Sequence, residues 1–423
     1  MPPTASPTLR QLRALVAVAA TGSVGGAAAD MGLSQPAVTQ AIAKLESIIG
    51  VDLLRRSRTG SFLSPAGEQF LPRVQKCFRK LELALAEPCE GYTFATAAQA
   101  PTLIGKLTDT HLRSLIAIAD AASFQLAARH LDISEPSLLR SARDLEHVLG
   151  IEIFQRSQHG VTTTLIGTEL ARRIHIALRE VDYGLEDVAS FNTSAETRLA
   201  IGIIPLFTGT VVSAAVEEFI QHYPNARIEV RDGTYDSLLS DLRSGSVDIL
   251  IGNMRCPEWV TDVVEHTFFT DPFRVVARAD HPLAELRRPL TIEDFASYPW
   301  VLPPLGAPRR ESFLQLFADL EHPPRIAVET NAPALHRTIL FASDCLAILT
   351  QREVAIEMRT GRNRLTVLSA PRLTGMDVKG YATRSDWQAT PLQLFFLEAL
   401  KRHAETADPN RHLEHRARAS GWS

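Results

Sequence analysis

Cysteine is scarce in this 423-residue sequence, with only Cys77, Cys89, Cys256 and Cys345. No two of them have a CxxC or zinc-finger spacing, so neither a disulfide scaffold nor a structural zinc site is expected, and a reduced, cytoplasmic setting fits best. No apolar run reaches the roughly 18 residues that a membrane span needs, so no membrane partner is expected. A P-loop, a GxSxG elbow, an HExxH helix and paired catalytic carboxylates are all missing. The thirteen histidines are scattered without ligand spacing. The expectation is therefore a protein that is not an enzyme, with no cofactor and no metal. The net charge is −4, which excludes a polycation. If nucleic acid is bound, positive charge must be concentrated in one place. What remains is ordinary for a soluble globular protein: 45 % hydrophobic and 22 % charged residues, in a chain long enough for about two to four domains.

The beginning carries a decoy. Arg10 and Arg13, then ALVAVAA and the small residues Ala27 to Ala29, imitate a signal peptide. The same pattern returns in mid-chain as LRSLIAIADAASFQLAA (112–128), where no signal peptide could act. Both stretches therefore read as one amphipathic helix pair used twice. The repeat aligns without gaps from Leu12–Gly67 to Leu112–Gly167, and Leu12, Arg13, Leu15, Ala27, Ala28, Ser34, Pro36, Leu45, Glu46, Gly50, Arg56 and Gly67 all recur one hundred residues on. Apolar residues filling the matching positions imply the same small fold twice.

Each copy reads as three helices and a wing. Leu12, Leu15, Val16 and Ala19 give the first helix its stripe, and about Val24–Met31 forms the second. Ser34 is a natural N-cap for the third, and Pro36 is tolerated in its first turn, where no intrahelical donor is lost. Val38, Ile42 and Leu45 form its buried stripe, leaving Gln35, Thr39 and Gln40 outward. VDLLRRSRTGSFLS (51–64) reads as a two-stranded wing carrying Arg55, Arg56 and Arg58.

Over these sixty residues the sequence resembles the winged helix-turn-helix domain of LysR-type transcriptional regulators. The resemblance implies that Ser34, Gln35, Pro36, Thr39 and Gln40 read the major groove, that Lys44 also contacts DNA, and that Arg55, Arg56 and Arg58 hold phosphates. The chemistry fits: glutamine and threonine hydrogen-bond base edges, and arginine neutralises the backbone and fixes register.

The second copy departs from the pattern. Glu135 replaces Gln35, Leu139 replaces Thr39, and Gln155 and Gln158 replace Arg55 and Arg58. Lys and Arg against Asp and Glu give 10 − 7 = +3 for residues 1–90, but 9 − 12 = −3 for residues 101–190. Weak DNA binding by this copy alone is expected, because phosphate contacts supply much of DNA affinity. Ser134, Arg140, Arg143 and Arg156 are its candidate DNA contacts. A structural second copy and a second reader with another preference both remain open. Residues 67–85 and 167–188 read as helices after each wing, Pro72 marking a kink or start in the first. The resemblance implies that such a helix pairs two subunits, and either copy could serve.

From Arg198 strands and helices alternate: 198–204, 227–232 and 247–253 as strands with helices at 208–223 and 235–245, then a second series through 300–302, Arg309–Leu320, 325–330, Pro333–Ala342 and 345–350. Parallel sheets covered by helices, in two lobes with a cleft, are expected. HYPNARIEV, LLSDLRSGSVDILIG and ADHPLA resemble the LysR effector domain, a relative of periplasmic solute-binding folds. The resemblance implies an effector held between the lobes by Pro205, Leu206, Phe207, Thr208 and Thr234 on one side and Pro304, Leu305 and Asn331 on the other. YPWVLPPLGAPRR is similar to branches that handle sugars or aromatic acids.

The expected architecture is thus multidomain: two all-α winged helix-turn-helix domains (8–66 and 107–166), each followed by a linker helix (67–86, and a dimerisation helix at 167–190), an inter-repeat linker (87–106), and an α/β two-lobed effector domain (197–405) before a tail (406–423). Lobe 1 is placed at 197–279 and 371–405, lobe 2 at 280–370. The implied function is effector-controlled, sequence-specific binding of double-stranded promoter DNA by a homodimer or homotetramer that contacts RNA polymerase. The competing reading is a small-molecule-binding protein whose winged helices make protein contacts only.

Overall fold

A computed structural model describes residues 6–57, 60–121, 123–157, 160–191, 197–204, 209–359 and 364–406. The chain divides into two compact units, one running through Arg198 and the other containing the α/β half.

The first unit repeats one design. Helices α1 (Leu9–Thr21), α2 (Val24–Asp30) and α3 (Gln35–Ile49) lead to the hairpin β1 (Leu54–Ser57) and β2 (Gly60–Leu63), and then to the long helix α4 (Pro65–Ala86). After α5 (Ala100–Lys106), the helices α6 (Asp109–Ala121), α7 (Phe124–His130) and α8 (Glu135–Leu149), the hairpin β3 (Phe154–Ser157) and β4 (Gly160–Thr163), and the helix α9 (Leu165–Asp187) follow in the same order. The inter-repeat linker is more structured than expected. It holds α5 and a bridge between Cys89 and Tyr92, because Ala100 and Ile104 bury themselves in the core. Pro72 lies inside α4, which continues through it.

The recurring residues hold backbone in place. The Ser34 hydroxyl accepts the Ala37 N–H, and the Ser134 hydroxyl accepts that of Ser137. One oxygen of Glu46 accepts the N–H groups of Leu53 and Leu54 at 2.9 and 3.1 Å, and Glu146 does the same for Ile153 and Phe154 at 2.9 and 3.0 Å. That carboxylate fixes the wing to the third helix in both copies. A Cβ on Gly67 would sit 2.1 Å from the Leu53 carbonyl oxygen, and one on Gly167 would sit 2.2 Å from that of Ile153. Only glycine allows this approach of helix to wing. The signal-like stretch is core: Leu12, Leu15, Val18 and Ala27 are buried. Among the described residues no single helix is long and apolar enough to cross a membrane.

The second unit runs β5 (Thr197–Ile203), α10 (Gly209–His222), β6 (Ala226–Asp232), α11 (Tyr235–Ser244), β7 (Ile249–Asn253), the long β8 (Val263–Arg278), α12 (Ile292–Ala296), β9 (Trp300–Leu302), α13 (Pro308–Leu316), β10 (Ile326–Glu329), α14 (Pro333–Ala342), β11 (Leu346–Thr350), α15 (Gln351–Arg359), β12 (Leu365–Leu368), β13 (Met376–Arg384) and α16 (Pro391–Thr406). The strand order is β10-β9-β11-β8-β13-β7-β5-β6, with β12 beside β8. β5 with β7, and β10 and β11 with β9, are parallel. β8 and β13 are antiparallel to each other and to their other neighbours, so the sheet is mixed rather than purely parallel. β8 gives Phe273, Val275 and Ala277 to the core around Trp300, and its first residue Val263 packs on the other core, around Leu238 and Leu250. The crossing between lobes therefore falls within β8 rather than after residue 279. The expected tail lies, beyond Thr406, outside the described residues.

Candidate nucleic-acid interface and effector cleft

In α3, Val38, Ile42, Leu45 and Ile49 are buried. That orientation leaves Ser34, Gln35, Pro36, Gln40 and Lys44 exposed and Thr39 half-buried. Arg55 is exposed on β1 opposite Phe62, and Arg56 lies one step on, opposite Ser61. Arg58 falls outside the described residues. The N-terminal turn of α3 and the wing thus present polar and cationic groups from one small domain.

Copy two keeps the scaffold and changes its surface. Ser134, Arg140, Arg143 and Arg156 are exposed. Leu139 turns inward against the core of Ile118 and Leu138. Gln155 donates its side-chain amide to the Thr163 carbonyl of its own hairpin, at 3.3 Å. Glu135 occupies the first turn of α8, where its charge offsets the positive helix end that a phosphate would otherwise meet.

The effector domain contains a cavity of about 160 Å³. Four of the expected residues, Thr234, Pro304, Leu305 and Asn331, line it. Pro205, Leu206, Phe207 and Thr208 lie outside the described residues. Thr234 also caps α11, its hydroxyl accepting the Ser237 N–H at 3.3 Å. Sequence reasoning missed Tyr235, Asn253, Arg255 and Arg309, which line the same cavity. Arg255 stacks 4.7 Å over the Tyr235 ring and donates to the Gly306 carbonyl across the cleft. The Tyr235 hydroxyl donates to Glu265 at 3.0 Å, and the same oxygen accepts the N–H groups of Arg255 and Cys256. Burial and Glu265 push the Cys256 thiol up, away from thiolate chemistry.

Arg309 opens a buried charge network. It is 3 % exposed and lies 2.8 Å from Glu353 and 3.3 Å from Asp377. Asp377 is also 2.9 Å from Lys379, which donates to Asn253 at 2.5 Å. The chain of contacts runs from α13 and α15 in one lobe, through β13, to the end of β7 in the other. Arg309 Nη1 is buried with no hydrogen-bond partner among the described residues. A buried unpaired guanidinium N–H is costly. The only signal for this in the sequence is the pair Arg309-Arg310 at a helix start, which periodicity leaves unexplained.

Comparison with known proteins fits this geometry. The profile of the LysR substrate binding domain matches residues 192–405, and that of the bacterial regulatory helix-turn-helix protein, lysR family, matches twice, at 9–68 and 110–168. The HTH-type transcriptional regulator GalR of Pseudomonas putida is 28 % identical over 366 residues, covering 86 % of this chain and 90 % of that one. PcaQ of Agrobacterium fabrum, another HTH-type transcriptional regulator, is 25 % identical over 70 % of this chain and 94 % of its own length. A full-length OxyR from Pseudomonas aeruginosa shares the fold at a TM-score of 0.51, with 21 % identity over 70 % of this chain and 94 % of that one. This chain belongs to the LysR family: it is a sequence-specific DNA-binding transcriptional regulator, controlled by a small-molecule effector bound between the lobes of its C-terminal domain, and its winged helix-turn-helix domain is present twice.

Proposed function

We propose that copy one is the principal DNA reader and that the effector is a small carboxylate of the aromatic-acid class. Gln35, Thr39 and Gln40 meet base edges, Ser34 and Pro36 set the helix entry, and Lys44, Arg55, Arg56 and Arg58 hold phosphates. Ser134, Arg140, Arg143 and Arg156 add weaker contacts through copy two. Supporting this division are the exposed polar front of α3 and the loss of basic charge in copy two. Arg55→Ala is expected to weaken binding about equally on all sequences and to reduce the slope of log affinity against log salt by about 1. Gln40→Ala is expected to cost about 1–3 kcal/mol on the preferred operator and little on unrelated DNA. Fluorescence anisotropy at several salt concentrations measures both. An equal loss on every sequence for Gln40→Ala would remove it from base reading.

The effector reading is carried by the two guanidinium side chains, Arg255 and Arg309, that line the cavity. Pro303, Pro304 and Ile204 supply apolar walls, and Asn331 a second polar group. A cavity of about 160 Å³ suits a single substituted ring. Both a sugar and an aromatic acid accord with the neighbouring sequence pattern, but only the acid answers the cation. Calorimetric titration with benzoate-type acids is expected to show binding, and their primary amides should bind about tenfold to a hundredfold more weakly. Binding of neutral sugars with none of the acids would overturn the reading. A bound acid touches residues of both lobes, so it favours one lobe arrangement over another and shifts that equilibrium. In a homodimer or homotetramer working in the cytoplasm, such a shift would alter the placement of the DNA-reading heads and their contact with RNA polymerase.

A further inference from the structure

We infer that the linker helices α4 and α9 are built as unlike partners, so that one chain alone forms a two-headed unit and closes this face to the linker helix of a second chain. This goes beyond the assignment of DNA contacts and does not depend on it.

The two helices run antiparallel: Arg73 meets Asp187 at 2.7 Å while Lys80 meets Glu180 at 2.8 Å. Lys80 and Glu180 are the same position of the repeat, one hundred residues apart. A residue that touches its own equivalent lies on a two-fold axis. The Leu9 N–H donates to Asp109, its own equivalent, at 2.9 Å. The partner of the Arg73–Asp187 contact under the same operation is Arg173 with residue 87, and Arg173 donates to the Glu87 carbonyl at 3.1 Å. The unit therefore has an internal two-fold relating copy one to copy two.

At the axis the two halves differ in charge. Glu180 is 2 % exposed and takes Arg73, Lys76 and Lys80 at 3.2, 3.0 and 2.8 Å. Burial alone would raise its carboxyl, but Lys80 and Lys76 override burial and hold it below the usual range. Two α4 helices paired this way would set Lys80 on Lys80, and two α9 helices would bury Glu180 on Glu180. The first sets Lys80 among Arg73, Lys76 and Lys80, and the second buries like charges with only Arg173 where Arg73, Lys76 and Lys80 serve Glu180 now.

The halves also differ in shape. Phe70 packs on Gly184, where a Cβ would come within 2.8 Å of the ring. The equivalent positions hold Leu170 and Ala84. Pairing α4 with α4 would set Phe70 against Ala84, and pairing α9 with α9 would set Leu170 against Gly184. One is overfilled and the other leaves a void.

The connecting segment places the pair within one chain. Arg173 on α9 holds the Glu87 and Pro88 carbonyls as the chain leaves α4, and Ala95 N–H returns to the Leu85 carbonyl. One continuous core then joins Phe70, Val74 and Leu81 with Leu170, Ile174 and Val181.

The test is a charge exchange in the full chain, read by thermal melting and so independent of DNA or effector binding. K76E/K80E and E180K are each expected to lower the melting point of the N-terminal unit by about 10 °C, and K76E/K80E/E180K to recover most of the loss. Two differently tagged chains, one K76E/K80E and the other E180K, are then expressed together. No recovery is expected, because neither chain can mend its own pair. Recovery on co-expression would show pairing between chains and overturn the inference. So would parent variants that melt like the wild type, or a triple variant no better than its parents.

Discussion

Asp377→Asn is expected to destabilise the effector domain by about 3–5 kcal/mol, the usual cost of removing one partner from a buried ion pair. Asp377 is fully buried on β13 and lies between Arg309 and Lys379. Burial alone would raise its carboxyl, yet Lys379 and Arg309 hold it below the ordinary carboxylate range. Asparagine keeps the shape and removes the charge. Two buried cations then share Glu353 and the Asn253 amide, which cannot balance both. The contrasting variant is Asp319→Asn at the exposed Arg372–Asp319 pair, 2.9 Å apart with both side chains mostly in solvent. There the change should stay within about 0.5 kcal/mol. Chemical denaturation of both variants measures the difference, and equal small losses would show that the Asp377 network carries no stability. The network has a second consequence. Its ends, Arg309 and Asn253, line the cavity, so Asp377→Asn should also weaken carboxylate binding by freeing the Arg309 guanidinium to turn.

The small fold repeated at the N-terminus was legible because its recurring residues serve the backbone. Ser34 caps, Glu46 ties the wing, Gly50 takes φ 79° after α3, and Gly67 admits a carbonyl. Such roles tolerate few residue types, so they survive in both copies and align without gaps. The pairing of α4 with α9 was not legible in that way. An apolar stripe requires a partner but does not say which chain supplies it. The information sits in positions where the copies disagree, Lys80 with Glu180 and Phe70 with Leu170, and a search for agreement passes over them. The effector cavity divides similarly. Thr234, Pro304, Leu305 and Asn331 follow from family spacing. Arg309, Glu353, Asp377 and Lys379 assemble from three separate elements, and no local pattern joins them. The mixed sheet was missed because its antiparallel strands, β8 and β13, were not among the strands read from the sequence, and β13, buried along nearly its whole length, carries no alternation to reveal it.

Gly184→Val is expected to destabilise the N-terminal unit by about 3 kcal/mol through overpacking. Glycine within a helix usually lowers stability by about 1 kcal/mol relative to alanine, so a side chain at 184 would ordinarily help α9. Here the propensity gain is outweighed. A Cβ would come within 2.8 Å of the Phe70 ring and 3.0 Å of Arg73 Cβ, and both residues are buried in the helix pair. The ring has nowhere to retreat, because Phe70 is fully buried and Gly67, one turn before it on α4, is held against the Leu53 carbonyl. Phe70→Ala alone should cost about 3–5 kcal/mol by opening a cavity. In the double variant the valine methyl groups enter that cavity, so the combined loss should fall short of the sum by about 1 kcal/mol or more. Simple additivity would mean that the two positions do not face each other. A shortfall would place Phe70 in the notch left by Gly184 and, with the Lys80–Glu180 contact, would make size as well as charge a determinant of which helix pairs with which.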